Sequence, residues 1–115
     1  MRDDKENIIV KLTFEFSLDI MDFSEELESK RKFVFANQIL KAGTSIGANV
    51  SEAKNAQSKA DFIHKMKISA KEADEVEYFL KLCKESVHYP FRPELLDKIQ
   101  VIIKILSKII SSSKN

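Results

Sequence analysis

Apolar side chains recur every three or four residues along three long stretches of the chain, which is typical of helices with one buried face. The clearest predicted helix covers residues 59–87. Ser58 before it can accept a helix N–H, and the carboxylate of Asp61 suits the positive helix end. Tyr89-Pro90 predicts the end of the helix, because proline disfavours α geometry in the preceding residue. The predicted buried stripe comprises Phe62, Met66, Ser69, Ala73, Val76, Leu80, Cys83 and Val87.

The stretches 33–56 and 94–112 show the same period, and Pro93 is well placed at the first turn of the last helix, where a missing N–H is harmless. The second predicted helix contains the only two glycines of the chain, Gly43 and Gly47. A glycine inside a helix costs about 0.5–1 kcal/mol relative to alanine. Two of them indicate that another backbone approaches closely, and we predict a tight helix crossing there.

The N-terminal segment has an ambiguous pattern. Apolar residues alternate with mostly polar ones from Ile8 to Ile20, which is typical of a strand, but the sequence contains no second strand candidate to pair with it. As a helix over about 7–28, the segment has two apolar faces. The second of these consists of Val10, Phe14 and Met21, with Leu18 nearby.

The fold class predicted from these stretches is all-α, an antiparallel up-down four-helix bundle forming a single domain over residues 1–115. A chain of 115 residues with 43% apolar composition fits one domain. Two glycines and two prolines are too few for the tight turns of an all-β protein. The predicted helices are about 7–28, 33–56, 59–87 and 94–112.

The helices carry more apolar surface than one four-helix core needs. Besides the second face of the first helix, the third helix has apolar residues well off its main stripe. Soluble monomers rarely expose an apolar patch of that size. In symmetric homo-oligomers such a patch is commonly buried at the contact between subunits. We predict a subunit interface; the alternative is scattered apolar side chains on the surface. The predicted interface residues are Val10, Phe14, Met21, Ile68, Phe79 and Leu82.

Charge is unevenly distributed although the net charge is only +1. Residues 3–28 hold nine acidic and two basic side chains, whereas residues 30–71 hold nine basic and two acidic ones. The basic stretch offers lysines for RNA or DNA contacts, which would be non-specific and salt-sensitive because no aromatic residues are interleaved with them. The alternative is a solvated helical face. The candidate lysines are Lys41, Lys54, Lys59, Lys65, Lys67 and Lys71.

Nothing in the sequence indicates catalysis or a cofactor. Glu85-Ser-Val-His88 matches one Glu-x-x-His element of di-iron bundles, but such sites need two. His64, the other histidine, is expected on the solvent side. Cys83 is interpreted as a small buried hydrophobe, and a single cysteine suits a reducing cytosol. We predict a cytoplasmic, non-enzymatic protein with no catalytic residue, no metal, no cofactor and no membrane span.

Asn49 borders the apolar face of the second helix, where its amide needs hydrogen-bond partners. Ser45 and Glu52 lie one turn away on the adjoining surface. Together with Glu72 or Glu75, these three residues are predicted to form a polar network that fixes register within the bundle or between subunits.

The run Thr44-Ser-Ile-Gly-Ala-Asn-Val-Ser-Glu-Ala53, followed by Gln57–Met66 and Ala70–Glu75, resembles the bacterial four-helix-bundle family found in 23S ribosomal RNA intervening sequences. The resemblance extends from Ile8 to about Ile110. It implies a helical first segment and a ring-shaped homopentamer. Related members include the accessory protein of diversity-generating retroelements, which is similar in fold, binds nucleic acid and partners a reverse transcriptase. The resemblance implies no catalytic residues, and for Ser45, Asn49 and Glu52 it implies only structural importance.

Two functions stay open at the level of sequence. The first is a homo-oligomeric bundle, expected to be a pentamer, that binds nucleic acid or a ribonucleoprotein through its lysines. The second is an interaction scaffold or accessory subunit for a partner protein such as a reverse transcriptase, without direct nucleic-acid contact.

Overall fold

The structure, a computed structural model, describes residues 4–114 and the side chains of residues 6–114. Residues 1–3 and 115 of the predicted 1–115 domain lie outside the described part. Four helices follow one another, and residues 4–114 contain no strand. The all-α prediction is therefore confirmed, and the ambiguous N-terminal segment is a helix. The helices are α1 (Asp4–Ser29), α2 (Phe33–Ala53), α3 (Lys59–Glu85) and α4 (Pro93–Ser113).

The four helices form an elongated bundle of 45 × 20 × 18 Å. Each helix packs against the next one in the chain, and α4 closes the bundle against α1 through the smallest of the four helix contacts. Within the described residues, the backbones of the diagonal pairs α1/α3 and α2/α4 do not meet. The bundle therefore has four sides, each formed by two neighbouring helices.

The close crossing of α1 and α2 lies at the two glycines. A Cβ atom added to Gly43 would lie 2.7 Å from Cγ2 of Ile20, and one added to Gly47 would lie 3.1 Å from the carbonyl oxygen of Thr13. Carbon atoms in good contact are about 3.5–4.0 Å apart. The missing side chains therefore allow α1 and α2 to approach more closely than alanine would permit without movement.

Two buried serines fix α2 against its neighbours on both sides. Ser24 of α1 donates a hydrogen bond from Oγ to the carbonyl oxygen of Ala36 at 3.1 Å. Ser69 of α3 donates in the same way to the carbonyl oxygen of Ile46 at 2.9 Å. A serine side chain reaches a neighbouring backbone only where the helices are close, so these bonds set the register of α2 in the bundle.

The C-terminal ends of α2 and α3 come earlier than the sequence pattern predicts. α2 ends at Ala53 rather than at residue 56, and α3 ends at Glu85 because Ser86 is extended, with φ −80° and ψ 138°. Val87 was predicted on the buried stripe of α3, but it lies beyond the helix and is 90% exposed. That prediction is wrong, because the helical period stops before Val87. At the other end, Ser58 Oγ accepts the backbone N–H of Asp61 at 3.1 Å, as predicted.

α1 ends with a left-handed residue that is not glycine. Arg31 has φ 64°, and the following Lys32 N–H donates to the carbonyl oxygen of Leu27 at 2.9 Å. The Arg31 N–H donates to the carbonyl oxygen of Glu28 at 2.8 Å. This pair of bonds is the Schellman arrangement, in which glycine is usual at the left-handed position. The chain turns sharply into α2 here without the glycine that would mark the turn in the sequence.

Candidate docking surfaces

The outer side of α1 carries apolar side chains in water. Phe14 is 65% exposed and Met21 is 51% exposed, and Leu18 and Ile8 are about half exposed. Val10 is half-buried at the edge of the same surface. Of these residues only Val10 packs against the core, because α1 buries another stripe. That buried stripe comprises Ile9, Phe16, Ile20, Phe23 and Leu27.

A groove of about 560 Å³ runs beside Phe14 on the side of the bundle formed by α1 and α2. The groove is there because α2 presents only small side chains at this point. Two basic residues, Lys11 and Lys54, also line it, as does Glu15. We call it the α1/α2 groove; its apolar walls and small-residue floor are formed by Val10, Phe14, Gly47, Ala48 and Ser51.

The neighbouring side of the bundle, formed by α2 and α3, carries the other predicted interface residues. They lie on a stripe with spacings of four and three residues, parallel to the core stripe of α3. Phe79 is half-buried because its ring packs edge-on against Phe35, with 5.3 Å between centroids. Leu82 is 44% exposed, and Ile68 is half-buried. We call this the α3 outer stripe; it comprises Ile68, Glu72, Glu75, Phe79 and Leu82.

Two carboxylates occupy the middle of the α3 outer stripe. Glu72 and Glu75 line a pocket of about 300 Å³ that they share with Lys41 and Ser45 of α2. Burial raises the pKa of Glu72 above its ordinary value, and the charge of Glu75 and a hydrogen bond with it raise it further. Lys41 and Lys71 act in the opposite direction without cancelling this effect. The two carboxyl groups and the two lysines therefore form a charged cluster on this side of the bundle.

The residues of the predicted polar network do not join within the subunit. The side-chain amide of Asn49 donates to the carbonyl oxygen of Ser45 at 2.8 Å, and the Ser45 hydroxyl donates to the carbonyl oxygen of Lys41 at 2.8 Å. Glu52 instead accepts a hydrogen bond from Nζ of Lys65 at 2.8 Å, which links α2 to α3. Each group has a partner close by, so a network between subunits stays a prediction.

The six candidate lysines do not lie on one face. Lys54 lines the α1/α2 groove, whereas Lys41 and Lys71 flank Glu72 on the other side of α2. Lys65 is paired with Glu52. The remaining two, Lys59 and Lys67, are exposed on α3. The structure thus brings together Lys41 and Lys71, beside a carboxylate.

The residues with reactive side chains form no catalytic arrangement in the described chain. Cys83 is buried, and this burial raises the pKa of its thiol to about 11, so it is protonated at neutral pH. His64 is exposed, and His88 lies in the connection after α3. No group of three or more His, Cys, Asp or Glu side chains within residues 6–114 could hold a metal ion. None of the four helices as described is long and apolar enough to cross a membrane.

Comparison with known proteins places this bundle in a family. The sequence profile of the family described as 23S rRNA-intervening sequence protein matches residues 5–112, almost the whole chain. The chain belongs to this family. The resemblance stated from the sequence is thereby confirmed. No curated protein matches the chain.

A solved structure supports the family assignment. It is a crystal structure of a protein with unknown function from the S23 ribosomal protein family, from Bacteroides thetaiotaomicron VPI-5482. The two sequences are 40% identical, with 93% of this chain and 98% of that chain covered, and the TM-score is 0.86. The family member described here therefore shares both its fold and much of its sequence with that protein.

Sequence reasoning missed the floor of the α1/α2 groove in this family member. Ala48 and Ser51 belong to the run that carries the family resemblance, yet only their neighbour Gly47 drew attention as a packing residue. The signal was available, because Gly47, Ala48 and Ser51 place small residues close together on the flank of α2 next to its buried stripe. Small residues on an outer helix face predict a depression in the surface.

Proposed function

We propose that this member of the 23S rRNA-intervening sequence protein family is a cytoplasmic, non-enzymatic helical bundle whose copies associate into a ring, a homopentamer as the family resemblance implies. The observation that supports self-association is the exposed apolar face of α1, with Phe14 and Met21 more than half in water. An exposed apolar face that is not part of the core is typical of a surface that binds another protein. A second copy of the same chain is the commonest cover.

The arrangement of the apolar surfaces favours a ring over a two-fold dimer. The α1/α2 groove and the α3 outer stripe lie on two neighbouring sides of the bundle, with α2 between them. A two-fold dimer uses one self-complementary patch, whereas two different patches suit head-to-tail contacts. Repeated head-to-tail contacts form a closed ring when the rotation between successive copies fits a full turn, and an open filament when it does not.

Changing Phe14 to glutamate is expected to dissociate the assembly. Light scattering during gel filtration should give the wild-type chain a mass several times the subunit mass of 13.2 kDa. Phe14→Glu should elute at the subunit mass with unchanged helical circular dichroism, because a charge at this exposed site opposes burial against another subunit. Val101→Glu is the matched control, since Val101 is 49% exposed on α4 and lies outside both surfaces. A monomeric wild-type chain at micromolar concentration would refute the proposal.

A second candidate function is binding of RNA or DNA. The family description refers to 23S rRNA, and the exposed side chains of Lys41, Lys67 and Lys71 offer positive charge on α2 and α3. A ring would repeat these lysines on every subunit, which strengthens weak contacts through multivalency. Without nucleic-acid contact, the ring would be a scaffold or accessory subunit for a partner protein such as a reverse transcriptase.

Electrophoretic mobility shift with RNA and DNA across a salt series separates these functions. If phosphates are bound, Lys67→Glu/Lys71→Glu should weaken binding about tenfold or more and reduce the salt dependence. Lys104→Glu/Lys108→Glu makes the same charge change on exposed positions of α4 and should have a smaller effect. Absence of any shift for the wild-type protein at low salt would exclude nucleic-acid binding and leave the scaffold function.

A further inference from the structure

We propose that the α1/α2 groove of one copy receives the α3 outer stripe of the next copy. This inference rests on the proposed self-association and names the two surfaces that meet. It makes the contact heterologous: every subunit offers its groove to one neighbour and its stripe to the other.

The shapes of the two surfaces are complementary. The groove is concave because its floor is Gly47, Ala48 and Ser51, and a helix can lie in such a depression with its larger side chains pointing inward. The α3 outer stripe offers side chains at the helical spacing that such recognition uses. The α1 lining of the groove from Val10 to Ser17 spans about 11 Å at 1.5 Å per residue, so the groove can receive about two helical turns of the stripe.

The charges of the two surfaces are opposite where they would meet. Lys11 and Lys54 line the groove with one acidic residue, Glu15, and neither lysine forms an ion pair within the described part of its own subunit. The middle of the stripe carries the carboxyl groups of Glu72 and Glu75, which line the surface between α2 and α3 beside Lys41. Docking would place lysines of one copy near glutamates of the next, and such complementarity fixes partner and register.

The groove fits a copy of itself poorly. Two grooves placed face to face would bring two concave floors together, so Gly47 and Ala48 would remain uncovered. Close packing at an interface core requires a ridge against a depression, as in protein interiors. The stripe supplies that ridge, with Leu82 as its most exposed apolar side chain.

Cysteine cross-linking tests which surfaces meet. In a Cys83→Ala background, the double variant Phe14→Cys/Leu82→Cys should give covalent dimers and larger products with a short bis-maleimide on a denaturing gel. The single variants Phe14→Cys and Leu82→Cys should give none, because each cysteine faces an unmodified surface of its neighbour. Cross-linking of a single variant to itself would overturn the pairing in favour of like-with-like contacts.

Two further outcomes are distinguishable. If the wild-type chain and the variants are oligomeric by light scattering but the double variant gives no cross-linked product, the pairing is overturned while self-association stands. If the wild-type chain is a monomer, self-association itself fails and the pairing with it. Circular dichroism of the variants checks that Phe14 and Leu82, both partly exposed, can be replaced without unfolding.

Charge reversal gives a second, independent test. Lys54→Glu and Glu75→Lys should each weaken association about tenfold, because each places like charges together across the contact. The combined variant Lys54→Glu/Glu75→Lys should recover to within about threefold of the wild-type affinity, since every contact again has opposite charges. Lys104→Glu, on α4, is the control that should have little effect. Weakening in both single variants without recovery in the combined variant would overturn the pairing.

Discussion

Replacing Gly43 with alanine is expected to lower the free energy of unfolding by about 1–3 kcal/mol, although alanine is the better helix former. The new Cβ would lie 2.7 Å from Cγ2, 2.9 Å from Cγ1 and 3.1 Å from Cβ of Ile20. Because both branches of this fully buried isoleucine are approached, no rotation of its side chain clears the contact. α1 and α2 must therefore move apart, and packing is lost along their crossing. Urea denaturation followed by circular dichroism measures the change.

The same substitution should change sign when Ile20 is shortened. Ile20→Ala alone is expected to cost about 2–5 kcal/mol through the cavity that it leaves. In that background, Gly43→Ala meets no obstacle, fills part of the cavity and gains about 0.8–1 kcal/mol of helix propensity. It should then be neutral or stabilising. An equal cost of Gly43→Ala in both backgrounds would show that its contact with Ile20 does not limit the approach of the two helices.

The helices and most of their buried residues were predictable because a bundle buries each helix along one stripe. The period of three and four residues in α2 and α4 identifies Ile46, Val50, Ile99 and Leu106, and all four are buried. This information is local and repeats over many turns. The pattern of the first segment did not decide its structure, because the alternation of apolar and polar residues fits a strand as well as a helix. The prediction of a helix there rested on the absence of a pairing strand and on the family resemblance.

Helix ends were less predictable because single residues decide them. At the end of α3, Ser86 is extended and terminates the helix although Pro90 lies four residues further on. At the end of α1, Arg31 takes the left-handed conformation that usually selects glycine. Such conformations depend on hydrogen bonds formed in the folded chain, and composition alone does not indicate them.

The candidate surfaces were predictable only in part, for a related reason. The excess of apolar residues on α1 follows from the sequence, and Phe14 and Met21 are indeed exposed. The burial of Phe79 against Phe35 depends on how α2 and α3 are aligned, which no single-helix pattern contains. The separation of Lys54 from Lys41, in contrast, follows from the helical period, because 13 residues at 3.6 residues per turn place them on different faces of α2.

The small residues in the family-specific run serve two sides of α2. Gly43 and Gly47 allow α1 to approach, and Gly47 continues with Ala48 and Ser51 into the floor of the α1/α2 groove. The close crossing and the groove are therefore one structural feature. The same run of small residues lets α1 approach and leaves a depression in the adjoining surface. A larger residue at Gly47 would disturb both the subunit core and the proposed docking surface.

Removing the guanidinium group of Arg92 is expected to cost about 1–3 kcal/mol of unfolding free energy. Its Nε donates to Oε1 of Glu26 at 2.7 Å, its Nη1 donates to Oδ2 of Asp22 at 2.8 Å, and it lies 5.4 Å from the ring centroid of Phe23. This cluster ties the start of α4 to α1, where the helix contact is smallest. Arg92→Met keeps most of the apolar stem but leaves Asp22 and Glu26, one turn apart, as unpaired like charges.

Lys98→Met is the matched control for this cluster. Lys98 also links α4 to α1, but through one bond of 2.7 Å to Asp19, and its side chain is 53% exposed. An exposed single pair contributes about 0–1 kcal/mol and is weakened by salt. The cost of Arg92→Met should therefore be clearly larger than that of Lys98→Met and should persist better at high salt. Equal costs of the two variants in urea denaturation would mean that Arg92, despite its two carboxylates and the aromatic ring, contributes no more than an ordinary surface ion pair.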